Sequence, residues 1–154
     1  MSEQISTSRT SFGSRAMALA IDFALLAALH CFLFLLSAGW FIKEVINLEP
    51  LAILTAYSSY LAVLFVSFVF LHMVYFTVFH AWTGQTLGKM IMGIKVVTVS
   101  NRLPPPSVAF LRWSGYILSS LPLATGFLWS AVDKDRCAWH DRLAGTKVVT
   151  LEMT

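Results

Sequence analysis

Charge is what this sequence has least of. Only 12% of its 154 residues are Asp, Glu, Lys or Arg, against 57% hydrophobic. A chain so poor in charge cannot clothe a water-soluble surface, and the composition describes an integral membrane protein. Two cysteines, Cys31 inside an apolar run and Cys137 in a basic tail, give no disulfide framework. No long polar segment is present to fold as a second, soluble domain. Catalytic signatures are missing as well: there is no Ser-His-Asp arrangement, no paired catalytic carboxylates and no nucleotide loop. The stretch G-Q-T-L-G-K at 84–89 falls short of phosphate-loop spacing and follows an apolar helix where a strand should stand. These absences exclude an enzyme and imply no cofactor. The scattered basic residues lie beside apolar segments, which suits anionic lipid rather than nucleic acid.

What the chain does have is apolar runs with ionisable residues set into them. Residues 14–40 form the first, with Arg15 at its mouth and Asp22 seven residues in. On a helix these two lie about 10 Å apart along the axis and nearly on one stripe, sharing a face without touching. An acid at that depth costs roughly 2.5–3.5 kcal/mol, so Asp22 has to face protein or trapped water. It either orients the first helix by packing and pairing, or handles a ligand. His30 is deeper and about 80° round the helix, so Asp22 and His30 mark a possible ion path. The run resembles a secretory signal in its charged flank and L-S-A-G-W end, but its length, Asp and His argue that it is retained.

Taken in order, residues 1–13 read as a polar cytoplasmic tail and 14–42 as the first long helix. A short link turns at Pro50, a good helix-starting residue. The second run, 51–82, would be roughly 48 Å long if wholly helical, more than a hydrocarbon core of about 30 Å. Its His72 and His80 stand about 12 Å apart along the axis, too far to share one metal from a single helix; interfacial hydrogen bonding is the ordinary reading. Residues 85–92 predict a short interfacial amphipathic helix and 94–99 a strand ended by the prolines at 104–106. The third apolar run, 107–132, is broken near Pro122 and Gly126, so that it is either a single span or a turn-back pair. The tail motif occupies 137–150. The predicted class is therefore an all-α membrane protein of two long helices plus a broken third run, with a small two-strand β element at the cytoplasmic face.

That β element follows from an internal repeat. G-I-K-V-V-T at 93–98 and G-T-K-V-V-T at 145–150 match at five of six positions. Two such strands satisfy each other's backbone by pairing. Pairing also bears on orientation. Positive-inside counting places the N-terminus and the link after the second run in the cytoplasm and Lys43 outside. If the third run crosses once, the eleven basic residues split six to five; if it turns back, the split is ten to one.

Three stretches together resemble the RDD family of small bacterial membrane proteins: Arg15 with Asp22, G-Q-T-L-G-K-M-I-M-G-I-K-V-V after the second run, and H-D-R-L-A-G-T-K-V-V at the end. The resemblance covers nearly all of residues 14–150. The family is named for one Arg and two Asp; Arg15 and Asp22 match the first two, and the second Asp is assigned to Asp141, with Asp133 the alternative. The resemblance implies a multi-pass protein of the bacterial plasma membrane, with three membrane segments and a role in transport.

Arg112 lies about one turn inside the third run, where its guanidinium can snorkel or pair with a carboxylate. Asp22, at similar depth from the same side, is its natural partner, and Asp141 joins the same rim if the tail is inside. The expected cluster is Arg15, Asp22, Arg112 and Asp141, either a structural clamp or the mouth of an ion path. Cys137-x-x-His140-Asp141 has the look of a metal or thiol site, but only His72 or His80 is available to complete it. Two functions remain. One is a transporter or exchanger of a small ion or proton-coupled solute, which with so few helices requires an oligomer. The other is a non-transporting accessory, scaffold or assembly subunit of a larger membrane complex.

Overall fold

The computed structural model describes residues 10–151. Of the expected polar tail, residues 1–9 lie outside the described residues. The order of elements is α1 (Phe12–Val45), α2 (Pro50–Trp82), α3 (Leu87–Ile91), β1 (Ile94–Thr98), α4 (Pro106–Ser120), α5 (Thr125–Val132), α6 (Trp139–Ala144) and β2 (Thr146–Thr150). The fold is mostly helical. Two helices, α1 and α2, are long and apolar enough to cross a membrane, and α4 with α5 forms an apolar pair bent by 97°.

The local chemistry accounts for the boundaries. Ser11 Oγ accepts the backbone N–H of Ser14 at 3.2 Å, the side-chain capping that starts α1. Pro50 opens α2 and Pro106 opens α4, at positions whose missing N–H costs nothing. The third apolar run breaks at residues 121–124, where Leu123 and Ala124 adopt left-handed φ values of 50° and 61° without the help of glycine. Thr125 N–H bonds back to the Pro122 carbonyl at 3.0 Å and closes the turn. The break thus falls between the two residues that marked it in the sequence.

The repeated segments pair as expected. β1 and β2 form an antiparallel two-stranded sheet in the register Ile94 to Thr150, Val96 to Val148 and Thr98 to Thr146. Each strand follows a short helix that ends on a glycine of positive φ, Gly93 at 62° and Gly145 at 59°, so the repeat is a whole helix, glycine, strand unit. Thr10 adds its backbone N–H to the Val148 carbonyl at 3.3 Å. Ala18 of α1 packs with Ile94, Val96 and Val148 into a small buried core.

The chain divides into two units, residues 1–22 with 73–154 and residues 23–72. The first carries the sheet, the short helices and most of the buried polar groups. The second is a pair of apolar helix segments whose large side chains, Phe32, Leu35, Val63, Phe65 and Val66 among them, are exposed. Within it Ser37 Oγ bonds Tyr60 OH at 2.8 Å, and Phe41 stacks on Tyr60 at 4.3 Å between centroids.

The segment expected to be an interfacial amphipathic helix, 85–92, is helical over Leu87–Ile91. Its helical part is the single turn α3, pressed onto α1 so closely that a Cβ at Gly88 would stand 2.0 Å from the Ala18 carbonyl oxygen. Only glycine permits that approach. It carries the neighbouring Lys89 into the interior, 5% exposed.

Candidate functional site

The first unit buries Asp22, Lys89, Arg112, His140 and Asp141. Ionised groups persist away from water only when paired or hydrogen-bonded, so the partners of each define what the site does.

Asp141 stands in the first turn of α6 and is wholly buried. Its Oδ1 receives Arg112 Nη1 from α4, and its Oδ2 receives Arg15 Nη2 from α1 together with the backbone N–H of Ala138 at 2.9 Å. Three elements are therefore held by one carboxylate. Burial by itself would raise the Asp141 carboxyl. The guanidinium of Arg112, with Arg15 and the Ala138 N–H, outweighs it and holds the group well below the usual carboxylate range. Arg112 extends the clasp by donating to Thr146 Oγ1 at 2.5 Å, and Arg15 Nη1 donates to the Arg136 carbonyl. The α4 and α6 backbones come close here, because Gly115 leaves room for His140, whose Cβ would be 2.8 Å from any Cβ in its place. Burial pushes the His140 imidazole well below its usual value, against the pull of the Asp141 carboxylate, so it is neutral near pH 7. Its ring packs edge-on to Tyr116 at 4.6 Å, and its Nδ1 lies 3.2 Å from Ser119 Oγ.

Asp22 is not the partner of Arg112. Its Oδ1 accepts Tyr75 OH at 2.6 Å and the Gly88 backbone N–H at 2.8 Å, and its Oδ2 accepts Thr86 Oγ1 at 2.5 Å. The acid on α1 thus ties down α2 and the start of α3 through neutral donors. The expected four-residue cluster resolves into a triad of Arg15, Arg112 and Asp141, with Asp22 satisfied separately. Similar depth suggested the Asp22–Arg112 pair; the docking of α6 on α4 supplies a nearer acid. Asp133 binds Arg142 at 2.6 Å and the Cys137 N–H at 2.9 Å at the rim, so Asp141 is the acid at the centre.

Sequence reasoning missed Lys89, Thr86 and Thr146. Thr86, Gly88 and Lys89 form T-x-G-K within the central motif, the one signal that would have drawn attention to them. Lys89 makes no hydrogen bond or ion pair with the described residues, and burial, reinforced by Arg112, lowers its ammonium from 10.5 to about 7. It lines a pocket of about 100 Å³ together with Arg15, Arg112, His140, Leu19 and Phe127.

In the second unit, His30 Nδ1 meets the Leu26 carbonyl at 3.2 Å and His72 Nδ1 meets the Phe68 carbonyl at 2.8 Å. A carbonyl only accepts, so each Nδ1 carries the proton. The rings lie 5.7 Å apart between centroids, with Phe68 against both. His30 Nε2 is buried with no partner among the described residues. His80, in the first unit, packs against Phe76 and Tyr116. Among the described residues no three His, Cys, Asp or Glu side chains converge as a metal site would need.

A family model described as RDD family matches residues 9–145. No curated protein and no solved structure matches the chain.

Proposed function

Because this chain belongs to the RDD family, we propose that it works in the bacterial plasma membrane as a transporter or exchanger of a small ion or proton-coupled solute, and not as an enzyme. The observation that carries this reading is the His30–His72 pair. Two imidazoles set among apolar side chains on helices of membrane length are costly to keep there, and ionisable groups at that depth serve function by default. With each Nδ1 proton tied to a backbone carbonyl, the Nε2 of His30 is left with a lone pair that no described residue uses. Asp22, filled by three donors, is better suited to fixing the helices than to carrying a cation.

Two long helices cannot enclose a path, so the working unit is an oligomer in which the exposed apolar side chains of the second unit meet lipid and neighbouring copies. In this reading α1 and α2 cross, and the bent pair α4–α5 re-enters on the side it came from, since β1 before it and β2 after it are hydrogen-bonded in one sheet. The distribution of basic residues supports the cytoplasm for that side, with anionic lipid beside it.

The test is flux in vesicles. Purified protein reconstituted with an internal pH dye should move protons when a small cation or solute gradient is imposed. His30→Gln and His72→Gln should abolish that movement while leaving insertion and oligomer size intact. Full coupled flux in the double variant would remove the histidines from the mechanism. The accessory-subunit reading is favoured by the saturated Asp22, and a stoichiometric foreign subunit in the purified complex would select it.

A further inference from the structure

The pocket in the first unit is bordered by three cations and no acid: Arg15, Lys89 and Arg112 line it, whereas Asp141 lies behind the two arginines it holds. Arg112 is 1% exposed and its Nε has no hydrogen-bond partner among the described residues. Lys89 is buried and unpaired among them. Counting Asp22 and Asp141 against these three, the interior holds one positive charge in excess when Lys89 is protonated. A lysine so enclosed, with no acid beside it in the pocket, is a costly arrangement. The volume of about 100 Å³ exceeds what one water needs. Leu19 and Phe127 supply an apolar wall on which a hydrocarbon substituent would rest.

We infer that this pocket is a binding site for a phosphate oxyanion, held by Lys89 Nζ and the free Nε of Arg112, with Arg15 at its edge. An anion there supplies the acceptors that both buried donors lack. The same phosphate chemistry is offered by a phospholipid headgroup and by a free phosphate, and the apolar wall fits the lipid form. Nothing in this assignment depends on the protein transporting anything. Lys89, depressed to about 7 in the empty pocket, regains its full charge when the anion binds.

Full-length protein, delipidated in a nonionic detergent, should be titrated with inorganic phosphate and, separately, with short-chain phosphatidic acid. The readouts are the thermal unfolding midpoint and the number of molecules retained per chain in native mass spectra. Binding should be saturable, with one molecule per chain. Lys89→Gln should weaken it at least about tenfold, the size of one lost charge-assisted hydrogen bond, while Lys134→Gln, which removes the same charge from an exposed loop, should change it less than about twofold. Lys89→Met is the second variant: its unbranched chain suits a buried position and removes an unpaired cation, so it should melt no lower than the parent and show no response to either probe. A response to both probes assigns the free anion and a response to phosphatidic acid alone assigns the headgroup; either sustains the site. No saturable response in the parent protein, or Lys89→Gln and Lys89→Met both responding as Lys134→Gln does, overturns it.

Discussion

Replacing Asp141 by asparagine is the sharpest perturbation available, because the shape hardly changes and the hydrogen-bond pattern cannot be repaired. Oδ1 faces a donor from Arg112, and Oδ2 faces donors from Arg15 and from Ala138 N–H. An amide has one acceptor oxygen and one donor group, so whichever way the new side chain is turned its NH₂ meets another donor. Arg15 is 12% exposed and can withdraw toward water; Arg112, at 1%, cannot. The amide oxygen therefore stays with Arg112, and the α6 N-terminus loses its cap. Removing one partner of a buried ion pair costs about 3–5 kcal/mol. The assay is equilibrium unfolding in mixed detergent micelles, read on Asp141→Asn, Arg112→Met and the double variant. The double variant should be less damaged than the sum of the singles by at least about 1 kcal/mol, as for residues in direct contact. A single-variant loss below about 1 kcal/mol, the scale of a solvent-exposed pair, would show that the pair is wet and would end the clamp argument.

Asp22→Asn should behave differently, losing only about 1 kcal/mol in the same assay: its oxygen keeps Tyr75 and Gly88, and the Thr86 hydroxyl can rotate to accept from the new NH₂; a loss as large as that of Asp141→Asn would contradict this. Gly88→Ala, forced to within 2.0 Å of the Ala18 carbonyl oxygen, should lose about 3 kcal/mol or fail to fold, whereas a melting curve like the parent's would mean that α3 is not docked. Stability in the absence of anions should rise with pH between about 7 and 10.5. Over that window the unfolded chain holds the Lys89 proton and the folded chain does not, giving a slope of at most about 1.4 kcal/mol per pH unit. The groups facing Lys89 are Arg15 and Asp22 on α1, His80 on α2, Arg112 on α4, and His140 and Asp141 on α6; a slope that survives in Lys89→Met would belong to one of them. Finally, a cysteine at position 150, with Cys31 and Cys137 replaced, should resist an impermeant reagent applied to intact cells while one at position 46 reacts; labelling at 150 from outside would overturn the cytoplasmic assignment of the tail.

The backbone plan was legible because each part of it left a local trace. Membrane length wrote itself into uninterrupted apolar runs, the break in the third run into Pro122 and Gly126, and the strand pairing into two copies of one hexamer. The choice of charge partners was not legible, since it depends on helix docking that leaves no periodic signature. Depth along a span could be counted, and it suggested Asp22 for Arg112. Whether Asp141 comes nearer depends on Gly115 admitting α6 against α4. Lys89 read as one more basic residue beside the membrane, because nothing in the sequence announces that the glycine before it will turn it inward. The satisfaction of Asp22 by a tyrosine, a threonine and a backbone N–H was equally hidden, as neutral donors give no charge pattern to read.

The position of Asp141 along the chain has a consequence for biosynthesis. Synthesis runs from the N-terminus, so Arg15 and Arg112 are both in place before their shared acid exists, and β1 waits some fifty residues for the strand that completes it. Until Asp141 leaves the ribosome, the two guanidiniums lack the carboxylate they share, and β1 lacks the strand that pairs with it. The final turn of helix and the strand after it then act as a closing latch, drawing in segments laid down at the start, middle and end of translation. A nascent chain arrested at residue 132 should therefore be inserted but protease-sensitive at the link before β1, and one released after residue 151 should be protected there.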